Sequence, residues 1–196
     1  MHHDVTLRRG GVALRPLAAD DGPAMRALVD EAMWAGNGQP LPRTDDEMSR
    51  LLAALVEAPA TLAFAVELDG RLVGRTVLYE LVEGLKVEIG HTIYAREVWG
   101  TAVNPTAKLL LMGHAFDDLG VGRVALRCDH RNARSRGAIL RLGATFEGTL
   151  RRFRPAADGT VADVDYFSVI AEEWPAVRAG LEERLAGAMF AALDRG

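Results

Sequence analysis

Residues 87–120 constrain the fold more than any other stretch, because they read as a strand, a small-residue turn and a long helix in direct succession. Residues 87–94 are rich in β-branched and aromatic side chains, which favour a strand. Asn104-Pro105 is typical of a helix start, and Leu119-Gly120 is typical of a helix end. A helix N-terminus behind a small-residue turn (100–102) presents N–H groups and a positive dipole end. The segment therefore predicts an anion site, most often one for phosphate.

Lys108 is an unusual residue in this predicted helix. It falls on the apolar side of the helix rather than among its polar residues. A lysine in the first turn also opposes the positive end of the helix dipole. A negative group is therefore expected beside it, and two candidates remain open: the phosphate of a bound ligand, and a carboxylate of the chain such as Glu88.

Length and composition indicate one soluble domain over residues 1–196, with its core at about 12–185. No apolar run approaches the ~20 residues of a membrane span, and the first residues lack the apolar centre of a signal peptide. Cys128 is the only cysteine, which excludes an internal disulfide and a multi-cysteine metal site and favours the cytoplasm. The net charge of −4 argues against general nucleic-acid binding and is compatible with a cationic amine as substrate. We assign no role to His2-His3.

The remaining patterns predict a mixed α/β (α+β) domain. Strands are expected over residues 12–17, 61–67, 72–80, 124–127, 145–154 and 161–170, and helices over 20–32, 44–56, 134–142 and 174–185. Residues 33–42 read as a turn-rich linker in which Trp34 either packs or contacts substrate, and residues 189–196 either extend the last helix or fray. Together these elements predict a mostly antiparallel sheet of about seven strands flanked by helices, with one parallel crossover.

The central segment resembles the GNAT superfamily of acetyl-CoA-dependent N-acetyltransferases, and more closely its branch of ribosomal-protein N-terminal acetyltransferases (RimJ/RimL-like). Gly100 and Ala102 match the last two fixed positions of the family's pyrophosphate loop. The first fixed position falls on Glu97, a departure, with Arg96 beside it. The run W-G-T-A-V-N-P-x-A-K is similar to a variant of that branch, and the resemblance extends over about residues 12–185.

The resemblance implies how such a chain would bind its co-substrate. In GNAT folds two parallel neighbouring strands splay into a V that admits acetyl-CoA; here these would be residues 87–94 and 124–127. No metal is implied, and a homodimer is compatible with the family. The cofactor-binding residues implied are Thr92, Ile93, Trp99, Gly100, Thr101, Ala102, Val103, Asn104, Lys108, Asn132 and Ser135.

Acyl transfer to an amine requires a neutral amine, a donor for the developing oxyanion and, for some enzymes, a proton for the leaving thiolate. Glu88 is the leading candidate for the base, because it lies where several GNAT enzymes carry a base glutamate. Its alternative role is a salt bridge to Lys108 or Lys86. His91 is a second candidate, although strict strand alternation puts it on the opposite face from Glu88 unless a bulge intervenes. The resemblance implies a backbone N–H of this strand as the oxyanion donor.

Asn132 and Ser135 match the family's Asn-x-x-Ser/Ala element, which implies a pantetheine contact for Asn132 and a proton-donor role for Ser135. Both are also ordinary helix-capping residues. Ile139 stands where many GNAT enzymes have a tyrosine acid. Nothing marks Cys128 as an acyl carrier.

Two further groups of polar residues carry weaker signals. The adjacent pair Asp129-His130 is discounted as a dyad, because neighbouring strand side chains point apart. Arg151, Arg152 and Arg154 are interpreted as a solvated strand edge, or as a contact for a substrate carboxylate.

These observations predict an N-acetyltransferase that moves an acetyl group from acetyl-CoA directly to a primary amine. The acceptor is either a protein or peptide N-terminus or a small-molecule amine. The alternative is a non-catalytic module that binds acyl-CoA or a partner, which Glu97 and Ile139 would favour.

Overall fold

The computed structural model describes residues 3–193, with side chains described to residue 187. Eight strands form one sheet in the order β1-β2-β3-β4-β5-β6-β8-β7, antiparallel except for β5–β6. The strands are β1 (Leu7–Arg9), β2 (Val12–Pro16), β3 (Leu62–Leu68), β4 (Arg71–Val82), β5 (Lys86–Tyr94), β6 (Arg123–Asp129), β7 (Thr145–Pro155) and β8 (Val161–Ile170). The expected mixed sheet and its single parallel crossover are confirmed.

Helices cover both faces of the sheet. They are α1 (Gly22–Leu28), α2 (Glu31–Trp34), α3 (Asp45–Glu57), α4 (Val103–Gly113), α5 (Ala133–Arg141) and α6 (Trp174–Leu193). Apolar residues of α4–α6 pack on one face, around Leu111, Met112 and Phe167. Residues of α1–α3 pack on the other, around Met25, Met48 and Val77. We call these the α4 face and the α3 face of the sheet.

The parallel pair of strands is short, and its end opens the sheet. The register runs from Lys86↔Arg123 to Ile89↔Leu126 and stops there. Beyond that point β6 continues to pair with β8 as far as Asp129↔Val164, and β5 continues to pair with β4 as far as Gly74↔Tyr94. The two strands therefore diverge after four paired residues, which leaves a gap through the sheet and confirms the expected splay.

A bulge in β5 lies at this gap. Val77 pairs with Gly90 and Arg75 pairs with Ile93, so Thr76 alone faces the two residues His91 and Thr92. His91 has φ +49°, which marks the extra residue. The bulge reverses the alternation of side chains along β5, so His91 and Glu88 reach the α3 face together.

The structure corrects several boundaries. An additional strand, β1, pairs with β2 and raises the strand count to eight. The helix expected over residues 20–32 breaks at Val29 (φ −119°, ψ 149°), because this extended residue turns its side chain into the core of the α3 face. Asn104 does not cap α4: the helix begins at Val103, with Ala102 in the capping position. Trp34 belongs to α2, not to a linker.

The last helix runs past the expected end at about residue 185, to Leu193. Of the tail for which either extension or fraying was expected, residues 189–193 extend the helix, and residues 194–196 lie outside the described residues. His2 also lies outside them, whereas the His3 ring packs against Phe64, with ring centres 4.6 Å apart and the planes tilted by 54°. Within residues 3–193, no helix is long and apolar enough to span a bilayer, and no cluster of three or more metal-ligating side chains occurs.

Candidate active site

A cavity of about 520 Å³ passes through the gap between β5 and β6. Its wall is built from strands β4 to β8, the turn before α4, the first turns of α4, helices α5 and α6, and the loop 36–38. Most of the predicted site residues line it: His91, Thr92, Ile93, Trp99, Gly100, Thr101, Asn104, Lys108, Asn132 and Ser135. The gap in the sheet thus brings together residues that lie far apart in the sequence.

Three predicted residues do not line the cavity by their side chains. Val103 is 2% exposed and packs into the core of the α4 face, so only its backbone is available to a ligand. Ala102 lies at the exposed start of α4. Glu88 is 4% exposed and lies behind two side chains that do line the cavity, Tyr79 and Arg127.

The turn before α4 has the geometry of an anion site. Gly100 has φ +75°, a conformation that glycine adopts without strain, and no atom lies within 4 Å of the position that a Cβ would occupy. Ala102 offers no side-chain cap to the N-terminus of α4, whereas the Thr101 hydroxyl accepts a bond from the Val103 N–H at 3.3 Å. The positive end of the α4 dipole therefore faces the cavity mouth.

Trp99 links two elements that border the cavity, the turn before α4 and the first turn of α5. Its indole N–H donates to the Tyr94 carbonyl at 2.8 Å, which fixes the ring. The guanidinium carbon of Arg134, from α5, lies 3.5 Å from the ring centre, and that of Arg96 lies 4.9 Å away. The stack joins the turn before α4 to the first turn of α5 by cation–π contacts.

Glu88 is held by two partners that the sequence did not indicate. The Tyr79 hydroxyl donates to its carboxylate, and Arg127 Nε lies 2.9 Å from the same oxygen. Burial raises the pKa of Glu88 above its ordinary value, and the hydrogen bond from Tyr79 and the charge of Arg127 oppose that rise. The alternative role considered for Glu88, a salt bridge to Lys108 or Lys86, does not occur, since Lys86 pairs with Glu80 and Lys108 with two threonine hydroxyls.

His91 lines the cavity on the same side as Tyr79, whose ring centre is 5.2 Å away. The pKa of His91 is lowered to about 4, first by desolvation at the cavity wall and then by the positive charges of Arg75, Arg127 and Arg154. The ring is therefore neutral at physiological pH. The bulge in β5, and not the strict alternation of side chains, determines the face of the sheet on which His91 lies.

Lys108 is 5% exposed and has no carboxylate partner within residues 3–193. Its ammonium lies 2.9 Å from the Thr92 hydroxyl and 3.4 Å from that of Thr76. Burial lowers the pKa of Lys108 to about 7. Of the two alternatives left open for Lys108, the ion pair with a carboxylate of the chain does not form, and the contact with a ligand phosphate stays a prediction.

The β6–α5 turn supplies the other wall. The Asn132 side chain accepts the Ser135 N–H at 3.0 Å and caps α5. Ile139 is 6% exposed beneath it. Burial raises the pKa of Cys128 to about 11, although the nearby Ser135 hydroxyl opposes that rise. Cys128 therefore carries a protonated thiol and not an activated one.

Asp129 and His130 do not form a dyad. Asp129 pairs with Arg131 at 2.8 Å. His130 contacts Asp165, whose carboxylate also accepts from Arg136 Nε at 3.0 Å and from Thr149. Asp165, fully buried on β8, thereby fastens the β6–α5 turn to the sheet.

Sequence reasoning missed Tyr79, Arg127 and Arg134. Tyr79 pairs directly with Glu88 across β4 and β5, so a correct strand register would have brought them together. Arg127 lies one residue beyond the last parallel pair, at the point where the strands diverge. No local pattern marks Arg134, because its partner Trp99 lies on another element.

The sheet opened between adjacent parallel strands, with a helix N-terminus at the opening, is the architecture that the resemblance implies. The chain belongs to the GNAT family, since the model of the Acetyltransferase (GNAT) domain matches residues 12–145. It is an acetyltransferase in a family whose members use acetyl-CoA.

Individual relatives agree with this assignment. YdaF of Bacillus subtilis (strain 168), whose name assigns it provisionally as a ribosomal N-acetyltransferase, is 34% identical over 107 residues. That match spans only 54% of this chain and 57% of YdaF. A provisionally named acetyltransferase from T. thermophilus is 33% identical, with a TM-score of 0.86 over 94% of this chain and 99% of that one. Mycobacterium smegmatis RimJ in complex with CoA-disulfide shares the fold, with a TM-score of 0.77 at 22% identity over 92% and 93% of the two chains.

Proposed function

We propose that this enzyme transfers the acetyl group of acetyl-CoA directly to a primary amine, with both substrates bound at once. The observation that carries the proposal is the cavity through the sheet, which is open to the N-terminus of α4 on one face and to Tyr79 and His91 on the other. Such a passage lets a thioester and an amine meet from opposite sides. When bound, acetyl-CoA supplies the activated acetyl group.

The residues of the α4 face fit the phosphates and arm of coenzyme A. The backbone at Gly100 and Ala102 and the Asn104 end of α4 are suited to a pyrophosphate, because the N-terminal amides and dipole favour an anion. Asn132 and Lys108 offer polar groups along the wall. Ser135 holds a transferable proton at Oγ on that wall, where Ile139 has none to offer.

On the α3 face, Glu88 is linked to the cavity through the Tyr79 hydroxyl. We assign Tyr79 and Glu88 together as the proton acceptor: Tyr79 takes a proton from the amine and gives its own to Glu88. The neutral His91 ring can accept a hydrogen bond from the amine without adding a charge. The end of β5–β6 pairing at Ile89 leaves the following N–H groups of β5 as candidates for the oxyanion donor.

The acceptor class follows from relatives and from amine chemistry. The name of YdaF points to ribosomal proteins, so a protein or peptide N-terminus is one acceptor class, and a small-molecule amine is the other. An α-amine with a pKa of about 8 is partly neutral at physiological pH, whereas a lysine side chain at about 10.4 is not. An α-amine therefore requires less from the base.

Calorimetric titration with acetyl-CoA, followed by turnover with a panel of amines, tests the proposal. Ala102→Glu adds a negative charge beside the proposed pyrophosphate, at a cost in acetyl-CoA affinity of about 100-fold for charges ~5 Å apart in a partly screened site. Ala102→Gln is the matched neutral control and should retain most of the affinity. Equal acetyl-CoA affinity of the two variants would refute the proposed anion site. Binding of acetyl-CoA without turnover of any amine would refute the proposed transferase reaction.

Glu88→Gln tests the proton path separately. The carboxylate is buried away from the cavity, so the variant should bind acetyl-CoA normally and lose turnover. A turnover equal to that of the wild type would show that Glu88 takes no part in proton transfer.

A further inference from the structure

We propose that the acceptor carries a carboxylate close to its amine and that Arg154 binds this carboxylate. The inference rests on the proposed transferase function and defines its acceptor more narrowly. It concerns the end of the cavity on the α3 face of the sheet.

The two ends of the cavity differ in the strands and loops that form them. Leu126 and Cys128 of β6 face α4 and α5, so the intervening Arg127 points to the opposite face of the sheet. Tyr79, His91 and Arg127 line the cavity on that α3 face, together with Arg154 of β7 and the loop 36–38. The helix N-terminus proposed for coenzyme A lies on the other face, which leaves this end for the acceptor.

Each carboxylate near this end already has an arginine of its own. Glu88 pairs with Arg127 at 2.9 Å, and Asp129 pairs with Arg131 at 2.8 Å. Arg154 differs, because its guanidinium donates to two backbone carbonyls, those of Gly36 at 2.8 Å and Pro155 at 3.1 Å. Within residues 3–193, no carboxylate forms an ion pair with it.

Donors remain on Arg154 for a ligand. A guanidinium has five N–H groups in a planar fork that matches a carboxylate, and the two carbonyl bonds occupy only part of it. The same bonds hold the side chain in place: the bond to Gly36 ties β7 to the loop 36–38, and the bond to Pro155 is made within β7. A Cβ on Gly38 would lie 3.3 Å from Arg154 Nη1, so the glycine allows this close packing.

A second observation shows that positive charge converges on this end. Arg75, Arg127 and Arg154 each lower the pKa of His91, so all three act on one point of the cavity wall. Arg75 is 1% exposed, and its Nη1 donates to the His91 carbonyl at 2.8 Å, while its Nε has no partner within the described residues. A carboxylate on the acceptor would meet this positive charge, since Glu88 and Asp129 already form ion pairs with Arg127 and Arg131.

Two sources supply an amine with a carboxylate beside it: a free amino acid, and a peptide N-terminus that begins with an acidic residue. Both present the same pair of groups, and matched acceptors separate them. Alanine and alaninamide differ in the α-carboxylate. A tripeptide amide beginning with aspartate and its asparagine counterpart differ only in the side-chain charge.

The experiment measures kcat/KM for these four acceptors with wild type, Arg154→Gln, Arg154→Lys and Arg151→Gln. The selectivity is the ratio of kcat/KM for the charged acceptor to that for its neutral counterpart. Comparing selectivities between enzymes cancels the different pKa values of the amines and any general loosening of the loop. Arg151 is exposed on the same strand and lies outside the cavity, so it is the matched control.

We expect Arg154→Gln to lower the selectivity about tenfold, as the loss of a charge-assisted hydrogen bond does, Arg154→Lys to retain most of it, and Arg151→Gln to leave it unchanged. A loss of selectivity in only one of the two acceptor pairs shows whether the carboxylate belongs to a free amino acid or to an acidic peptide N-terminus. Equal use of charged and neutral acceptors by the wild type would overturn the inference and leave the proposed function intact. An equal loss of selectivity in Arg154→Gln and Arg154→Lys would also overturn the inference, because it would show that Arg154 only anchors the loop 36–38. Acetylation of none of the four, despite turnover of other amines in the panel, would overturn the inference alone, whereas no turnover of any amine would overturn the proposed function.

Discussion

The free energy of unfolding of Lys108→Met tests the buried lysine quantitatively. Lys108 is 5% exposed, and its pKa is lowered from 10.5 to about 7 by burial. Because a tenfold change in proton affinity corresponds to about 1.4 kcal/mol, the lower pKa costs the folded state roughly 5 kcal/mol at and below pH 7. Methionine keeps the length of the side chain and removes this cost.

The substitution also removes two hydrogen bonds, to the hydroxyls of Thr92 and Thr76, each worth about 1 kcal/mol. The two hydroxyls remain bonded to each other at 2.8 Å, so neither is left unpaired. The net expectation is that Lys108→Met is more stable than wild type by roughly 3 kcal/mol at pH 6.5.

The pH dependence has a definite sign. Between about pH 7 and 10.5 the unfolded chain holds the Lys108 proton and the folded chain does not, so the wild type gains stability as pH rises through this window. The variant has no such gain, and its advantage should fall to near zero by about pH 9. Other titrating groups are common to both proteins and cancel.

Urea unfolding followed by tryptophan fluorescence at pH 6.5, 7.5 and 9 measures the difference. Lys86→Met is the control, since Lys86 is exposed and is the only other lysine of the chain. A difference that does not change with pH would refute the reasoning. A wild type that is the more stable protein at pH 6.5 would refute it as well, because the charged lysine would then have a compensating partner.

Three further changes test other parts of the site. Tyr79→Phe cuts the link between Glu88 and the cavity, so kcat should fall about 100-fold while acetyl-CoA affinity stays constant; an unchanged kcat would exclude the relay. Asp165→Asn weakens the bonds that fasten the β6–α5 turn and should cost about 2–3 kcal/mol in urea unfolding, with no loss contradicting the role given to this carboxylate. Trp99→Leu removes the ring under Arg134 and with it the contact that joins the turn before α4 to α5. Because this contact is worth about 1 kcal/mol, coenzyme A should bind about fivefold more weakly by calorimetry. Unaltered binding would show that the stack is only structural.

The sequence predicted what local signals determine. The strand and turn of residues 87–102 occur where expected, because residue preferences and small residues act within the segment itself. The helix expected to end at Leu119-Gly120 is α-helical only to Gly113 and continues as a π-helical turn over His114–Asp118. The break at Val29 was not predicted, because its cause is packing against α3 and the sheet. The eighth strand was missed because three residues pairing with β2 are too short to show a pattern.

The site was predictable in its parts but not in its contacts. His91 and Glu88 were singled out, but only the register of β4 against β5 shows that a bulge brings them to one face. Likewise, the partners of Lys108 are hydroxyls on two strands, and those of Glu88 come from β4 and β6. Sequence distance hides such pairs, since the residues meet only through sheet pairing.

The burial of Lys108 has a practical consequence for assays. Of the 23 lysine and arginine residues, only Lys86 and Lys108 carry a side-chain amine that an acetyl donor can modify. Lys108 lies on the wall of the cavity, and its pKa of about 7 leaves much of its amine neutral, so Lys108 rather than the exposed Lys86 is the side chain that bound acetyl-CoA would label. The intact mass of the enzyme therefore reports any acetyl group that is lost to Lys108, separately from the label transferred to an added acceptor.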